Sequence, residues 1–191
     1  MRYSVSELLW IFILISFLGW GLEVTFATIR HKRFVNRGLV NGPLCIIYGI
    51  VAVANTVFLQ ELPVWWVFAG SMILATVVEW CAGHMLEAVG QGKWWDYSNI
   101  KWNLDGYICV PASLLWGTLG TIGVLWVDRW IVKGFHLIPE IIRTIILWFS
   151  ITTILVDVLA TMIILSGKSR NLQRWREVDN WFISLTARLE A

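Results

Sequence analysis

Five apolar stretches constrain this chain most, because each is long enough to cross a lipid bilayer as a helix. They cover residues 8–29, 43–59, 65–89, 108–127 and 140–165. Inside a bilayer only helices and closed barrels pair every backbone N–H and C=O group, and stretches of this length suit helices. The composition agrees, with 58% hydrophobic and only 15% charged residues. We therefore expect an all-α, polytopic membrane domain of five transmembrane helices over residues 1–167.

The C-terminal tail, residues 168–191, is too polar to span a membrane. Its apolar residues recur at spacings of three and four, as in Leu172, Trp175, Val178, Phe182 and Leu185. That spacing predicts an amphipathic helix that lies in the membrane interface or packs against the bundle. A disordered tail is the alternative.

Basic residues predict the orientation of the five spans. Eleven of the 15 lysines and arginines fall in loop 1 (residues 30–42), loop 3 (residues 90–107) and the tail. With five spans these segments share one side of the membrane, and the other side carries four. Because basic loops remain in the cytoplasm, we expect a multi-pass protein of the inner or plasma membrane. Its N-terminus lies outside and its C-terminus in the cytoplasm.

Ionisable side chains inside the predicted spans indicate where the protein works. Glu79, His84 and Glu87 fall within nine residues of the third span, and Glu23 and Asp157 lie at a similar depth in the first and fifth spans. A carboxylate at such a depth costs about 2.5–3.5 kcal/mol even on a lenient insertion scale. The pattern predicts a polar, acidic cavity that faces the cytoplasm. The alternative is structural, with acids paired to basic residues at span ends.

The remaining acids are placed near span ends or in loops. Glu7 and Glu140 fall at the outer span ends, and Asp128 falls in a predicted loop 4, residues 128–139.

Two loop motifs lie next to these acids. Asn36-Arg37-Gly38 precedes the second span, and a helix start with an arginine beside it can hold a phosphate or carboxylate. A basic loop that touches lipid headgroups is the alternative. Trp94 to Ser98 is either an interfacial aromatic belt or a re-entrant loop over the cavity, with Asp96 paired to an arginine of loop 1.

Metal and cofactor chemistry has weak support in the sequence. No Walker sequence, dinucleotide fingerprint or HExxH motif occurs, so no cofactor is assigned. Cys45, Cys81 and Cys109 are either small buried hydrophobic residues or a thiolate metal site. His84 and Glu87 have a spacing compatible with a divalent cation, so a metal stays open.

An internal repeat is visible at a shift of 64 residues. It aligns Gly19, Leu22, Glu23, Gly42 and Cys45 with Gly83, Leu86, Glu87, Gly106 and Cys109. Spans 1 and 3 run in the same direction, so a parallel repeat about an axis along the membrane normal is predicted. In such a repeat Glu23 and Glu87 form a pseudo-symmetric pair that faces one cavity.

Several motifs carry a resemblance to a known family. They are Gly19-Trp20 with Glu23, Phe34 to Gly38, Gly42-Pro43-Leu44, Ile47-Tyr48-Gly49, Glu79, Glu87, Trp95 to Ser98, Asn103 and Gly106. Together they resemble the type IV ABC-transporter permease family over residues 16–117. Two positions depart from the family pattern: Ile46 replaces a proline, and Tyr107 replaces an arginine, which weakens an anion-binding role for loop 3.

The resemblance implies a permease-like protein that works with partners. The chain contains no ATPase, so the expected partners are a second copy, another membrane subunit or a separate ATPase, with no nucleic acid. The candidate residues for substrate binding or the pathway are Glu23, Asn36, Arg37, Glu79, His84, Glu87, Asp96, Asn103 and Asp157.

Three functions follow from this sequence. The first is a permease-like subunit whose acidic cavity takes a small ion, a metabolite or a lipid headgroup. The second is a membrane-embedded enzyme acting on a lipid headgroup or phosphate, with Glu79 or Glu87 as general base. The third is a structural assembly subunit. No nucleophile–base pair can be identified from the spacing, so the enzyme ranks behind the permease.

Overall fold

A computed structural model describes residues 2–32, 34, 40, 42–88 and 93–165, without the side chains of residues 30, 31, 164 and 165. The described part is almost entirely helical. Its helices are α1 (Val5–His31), α2 (Ile46–Leu59), α3 (Val64–Ala88), α4 (Val110–Ile122), α5 (Asp128–Leu137) and α6 (Glu140–Leu165). Asn36, Arg37 and the predicted tail helix lie outside the described residues.

Four helical stretches are long and apolar enough to cross a membrane. They are Val5–Ile29, Val64–Ala88, Val110–Leu137 and Glu140–Ile163. The apolar helix α2 has 14 residues, which at a rise of about 1.5 Å per residue gives about 21 Å. The hydrocarbon core of a bilayer is about 30 Å thick. The all-helical membrane architecture is therefore confirmed with four candidate spans, while the fifth span stays a prediction.

Helix α1 starts before the predicted span because Ser4 caps it. The Ser4 hydroxyl accepts a hydrogen bond from the Glu7 N–H group, and the Glu7 carboxylate accepts one from the Ser4 N–H group at 2.6 Å. This capping box pairs two N–H groups that a helix start leaves free. The helix therefore begins at Val5, three residues earlier than the apolar pattern indicates.

The predicted loop 4 is wrong, because the chain stays helical through residue 137. A π-helical turn, Gly123–Val127, connects α4 to α5, so Val110–Leu137 forms one continuous helix. Val132 packs against Leu8 and Ile11 of α1, and Phe135 packs in a second cluster of the core. Charged residues at 128, 129 and 133 suggest a loop by composition, but these apolar residues make one face of a helix that binds α1.

Close helix packing depends on small residues. Helix α2 lies along α1, where Gly49 sits directly against Ser16, and α4 lies along α3, where Gly117 sits against Phe68 and Met72. Small residues let membrane helices approach closely enough for van der Waals contact. Helices α2 and α3 also pack on each other, so the two pairs form one bundle.

The helices α2 and α4 begin inside the bundle rather than at its edge. The Cys45 N–H group, just before α2, donates to the Ser16 carbonyl near the middle of α1 at 2.9 Å. Before α4, the Tyr107 ring lies against Gly83, which is still within α3. Both connecting segments therefore enter the bundle before their helices start. We call the end where α1 and α3 finish the acidic end.

Candidate functional site

Glu79 of α3 lies at the centre of a cluster of aromatic donors. One carboxylate oxygen accepts a hydrogen bond from the Tyr97 hydroxyl at 3.0 Å, and the other accepts one from the Trp116 indole N–H at 3.0 Å. Tyr97 belongs to loop 3 and Trp116 to α4, so two separate elements meet at this half-buried carboxylate. Both donors are neutral and leave the negative charge of the carboxylate in place.

Glu23 of α1 joins the same cluster through α2. Its carboxylate accepts a hydrogen bond from the Tyr48 hydroxyl at 2.7 Å. The Tyr48 ring meets the Trp116 ring edge to face, with centroids 5.8 Å apart. The structure thus connects Glu23 and Glu79, two of the predicted site residues, through one aromatic pair.

Glu87 and His84 share a third aromatic contact, the ring of Tyr107. The Tyr107 hydroxyl donates to the Glu87 carboxylate, while its ring packs at a tilt against His84 with centroids 4.2 Å apart. The hydrogen bond to Glu87, followed by burial, raises the pKa of Tyr107 to about 12. Lys93 lies 4.5 Å from the centroid of the same ring. Tyr107, which departs from the family pattern, therefore anchors loop 3 to the end of α3.

His84 is held by its neighbours on α3. Its Nδ1 atom lies 3.0 Å from the Trp80 carbonyl oxygen, and its ring packs at a tilt against the Trp80 ring, with centroids 4.1 Å apart. A carbonyl oxygen only accepts hydrogen bonds, so Nδ1 carries the hydrogen. His84 is thus sandwiched between Trp80 and Tyr107, with its Nε2 atom the one left for a further contact.

Asp96 and Asn103 shape loop 3. The Asp96 carboxylate accepts hydrogen bonds from the Ser98 N–H group at 2.9 Å and from the Ser98 hydroxyl at 2.5 Å, which lower the pKa of Asp96. Asn103 donates to the Ile100 carbonyl and accepts from the Gly106 N–H group. Gly106 has a φ of +75°, a conformation that glycine adopts at little cost.

Loop 3 is a folded element that covers the end of α3. Its two short antiparallel strands, β1 (Asn103–Leu104) and β2 (Ile108–Cys109), pair directly before α4. The Trp95 indole N–H donates to the Tyr107 carbonyl at 2.8 Å. Burial, and then the charge of Glu79, raise the pKa of Tyr97. The Tyr97 hydroxyl therefore stays protonated and remains a donor at neutral pH.

Asp157 of α6 reaches loop 1 where that loop enters the bundle. Its carboxylate accepts a hydrogen bond from the Gly42 N–H group at 2.7 Å. A Cβ atom at Gly42 would lie 3.0 Å from the same carboxylate oxygen, so a larger residue would crowd this contact. Asp157 thus fixes the segment before α2.

The same arrangement of glycine, tyrosine and glutamate occurs twice in the chain. Tyr48 packs its ring on Gly19 and donates to Glu23, and Tyr107 packs its ring on Gly83 and donates to Glu87. In each arrangement the glycine precedes the glutamate by four residues. The two tyrosines occupy different positions in the 64-residue alignment.

One cavity in the described part of the chain is not lined by the acids. It has a volume of about 240 Å³ and lies between α3 and α4, away from the acidic end. Its lining is Val64, Trp65, Phe68, Thr118, Thr121 and Ile122. Among the described residues, no group of three or more His, Cys, Asp or Glu side chains could hold a metal ion.

Asp128 is a buried acid that sequence reasoning placed in a loop. It is 2% exposed and contacts the Thr56 hydroxyl of α2 at 2.6 Å. It lies towards the end of the bundle opposite to the acidic end. The one signal in the sequence is that Val124, Asp128 and Val132 recur every four residues, which places the acid on the buried face of a helix.

The chain was compared with known families, curated proteins and solved structures. The family model described as "Putative ABC-transporter type IV" matches residues 10–162. The chain matches no curated protein and no solved structure.

Proposed function

This chain belongs to the type IV ABC-transporter family, and from that premise we propose that it is the permease-like membrane subunit of a transporter. Its pathway includes the acidic end, where Glu79 and Glu87 bind a small cation or the cationic group of a metabolite or lipid headgroup. A second copy or a separate ATPase completes the transporter.

One observation carries this proposal: Glu79 and Glu87 are held by neutral donors. Tyr97, Trp116 and Tyr107 supply the hydrogen bonds. Within the described part of the chain, neither carboxylate forms an ion pair with a lysine, arginine or histidine. A structural acid in a membrane protein normally has a cationic partner, because an unpaired charge at this depth is expensive. An acid without one attracts a cation from outside the protein.

The proposed topology has five spans, with the acidic end in the cytoplasm. Gly42 to Cys45 enters the bundle before α2, so this segment and α2 together serve as the second span. The excess of basic residues in loops 1 and 3 supports the orientation. The two Gly–Tyr–Glu arrangements, on helices that run in the same direction, support a parallel repeat.

A ligand-stabilisation screen tests the proposal. Purified protein in detergent is heated with monovalent cations, divalent cations, amines and soluble headgroup analogues. Wild type is compared with Glu79→Gln and with Glu61→Gln, a matched change in the exposed turn after α2. A ligand at 100 times its dissociation constant stabilises by about 2.7 kcal/mol. For a chain of this size that raises the melting temperature by about 5–10 °C.

The expected result is a cationic ligand that stabilises wild type and Glu61→Gln but not Glu79→Gln. If the stabilisation survives in Glu79→Gln, the acidic end is not the binding site. If no cationic ligand stabilises wild type, the proposal fails and an assembly subunit becomes the better account. Release of a cleaved headgroup in the same samples would favour the enzyme.

A further inference from the structure

Asp128 and Thr56 form a buried pair in which the Thr56 hydroxyl has two acceptor oxygens within hydrogen-bond distance. The Thr56 hydroxyl lies 2.8 Å from the Ala52 carbonyl and 2.6 Å from the Asp128 carboxyl. A threonine has one O–H hydrogen, so it donates to one of these two acceptors. If it donates to Ala52, the hydrogen between Thr56 and Asp128 must come from a protonated carboxyl.

The burial of both side chains also favours a protonated Asp128 carboxyl. Asp128 is 2% exposed and Thr56 is 0% exposed. No lysine, arginine or histidine of the described residues forms an ion pair with Asp128. An ionised carboxylate buried without a countercharge costs several kcal/mol, whereas a neutral carboxylic acid can donate its proton to Thr56. Burial and the single Thr56 hydrogen therefore favour the protonated form of Asp128.

Two further polar side chains are buried next to this pair. Asn55 precedes Thr56 and is 2% exposed, and Ser71 of α3 is 0% exposed. Both approach Gly120 of α4: a Cβ atom there would lie 2.7 Å from the Ser71 hydroxyl and 2.8 Å from the Asn55 amide nitrogen. These two polar groups are thus no farther apart than the sum of those distances.

The oxygens of both side chains are unpaired. Among the described residues, the Asn55 amide oxygen and the Ser71 hydroxyl have no hydrogen-bond partner. Buried polar atoms in proteins are ordinarily hydrogen-bonded, and where protein partners are lacking the partner is ordered water. A water molecule that bridges the Asn55 amide oxygen and the Ser71 hydroxyl would give both groups a partner.

The polar residues continue to the acidic end. The Thr76 hydroxyl of α3 lies 2.8 Å from the Ser113 hydroxyl of α4. Glu79 follows Thr76 by one helical turn and binds Trp116. From Trp116 to Asp128 the continuous helix rises about 18 Å, more than half of a hydrocarbon core of about 30 Å. These polar residues thus lie between two acids in opposite halves of the bundle.

We propose that a file of water molecules along Thr56, Asn55, Ser71, Thr76 and Ser113 carries protons between Asp128 and Glu79. This inference rests on the proposed function and names the proton as the cation that the subunit handles. We call these five residues and the two acids the polar file.

The transfer is balanced at each step. Asp128 gives its proton to the adjacent water or hydroxyl, each water or hydroxyl oxygen passes one of its hydrogens to the next, and the last one gives a hydrogen to the Glu79 carboxylate, which releases it at the acidic end. The Asn55 amide oxygen only accepts a hydrogen bond from a water of the file. No bond other than O–H forms or breaks. Asp128 is reprotonated from its own end of the bundle, where Tyr3 lies near Asp128 and where Arg2 and Arg129 lie near Tyr3.

Proton flux into liposomes tests the polar file. The full chain is reconstituted with a pH-sensitive dye inside, and a potassium diffusion potential drives protons across the membrane. We expect wild type to acidify the lumen faster than protein-free liposomes. Asp128→Asn should reduce the rate to that of protein-free liposomes. The matched control, Asp105→Asn in the exposed part of loop 3, should leave it unchanged.

A pair of glycine variants tests the position of the path. In Gly120→Ala the new methyl group meets Ser71 and Asn55, whereas at Gly134 of α5 it meets nothing within 4 Å. Flux should disappear in Gly120→Ala and persist in Gly134→Ala. Because Gly120→Ala could also disturb packing, Ser71→Ala serves as a second variant, since it removes the hydroxyl and adds no bulk. It should also abolish flux.

Two outcomes overturn the inference: wild-type flux no faster than protein-free liposomes, or Asp128→Asn flux equal to wild type. The failure of the proposed function is distinguishable, because it appears in the ligand screen at Glu79. If Asp128→Asn abolishes flux while Glu79→Gln keeps every ligand response, the polar file stands and the cation site at the acidic end does not.

Discussion

Replacing Gly83 with alanine should break the contact that holds Glu87. The new Cβ atom would lie 2.5 Å from the Tyr107 ring, so the ring must move and its hydroxyl must leave the carboxylate. Overpacking of this kind costs about 1–3 kcal/mol, and a hydrogen bond to a charged group adds about 1.5–3 kcal/mol. The gain in helix propensity from glycine to alanine offsets about 1 kcal/mol. We expect a net destabilisation of about 1.5–5 kcal/mol.

The matched control is Gly21→Ala on α1, where the Cβ atom meets nothing within 4 Å. It should leave the protein as stable as wild type or stabilise it by up to about 1 kcal/mol. Denaturant titration of the purified protein in detergent micelles measures both free energies of unfolding. Equal stabilities of the two variants would refute the argument that Tyr107 is fixed on Gly83.

Three further predictions concern charge and topology. Glu87→Gln should lower the pKa of Tyr107 from about 12 towards the ordinary tyrosine value of about 10, measured by ultraviolet titration; an unchanged value would show that the hydrogen bond is absent. Because the folded pKa is the higher one, the stability from this contact is complete below about pH 10 and is lost as the pH rises through 12. Asp128→Asn should keep the melting temperature of wild type, since a neutral amide replaces a neutral acid; a large drop would indicate an ionised Asp128. Single cysteines added at residues 60–63 and in the tail of a cysteine-free protein should be labelled from outside and from the cytoplasm, respectively, and the reverse pattern would invert the topology.

The length of the apolar stretches predicted most of the fold. Helices α1, α3 and α6 follow from the requirement that lipid-exposed backbone be paired internally. Residues 128–137 were mispredicted because composition favours a loop there. Their helix depends on packing against α1, and the burial of Asp128 depends on Thr56, 72 residues earlier in the chain. Neither contact is visible in a local pattern.

The acids of the candidate site were visible in the sequence, but their partners were not. A carboxylate within an apolar stretch is recognisable as a candidate site residue because its insertion into the membrane costs free energy. Its donors, Tyr48, Tyr97 and Trp116, come from other elements that only the folded chain brings close. Tyr107 replaces the arginine of the family pattern, and the sequence does not show that its ring fits the space left by Gly83. The available signal in the sequence was the glycine four residues before each glutamate, which leaves space for a tyrosine ring.

The stability of Glu79→Gln tests the central claim most directly, because that claim is that the Glu79 charge has no structural cation. Glutamine keeps an acceptor for Tyr97 and loses the acceptor for Trp116, and a hydrogen bond to a charged group contributes about 1.5–3 kcal/mol. Relief of the desolvation cost offsets this loss. Denaturant titration in detergent should therefore give a free energy of unfolding within about 1 kcal/mol of wild type. A loss of about 3–5 kcal/mol, the cost of breaking a buried ion pair, together with the same loss in Arg37→Gln, would contradict the account and make Glu79 a scaffold residue.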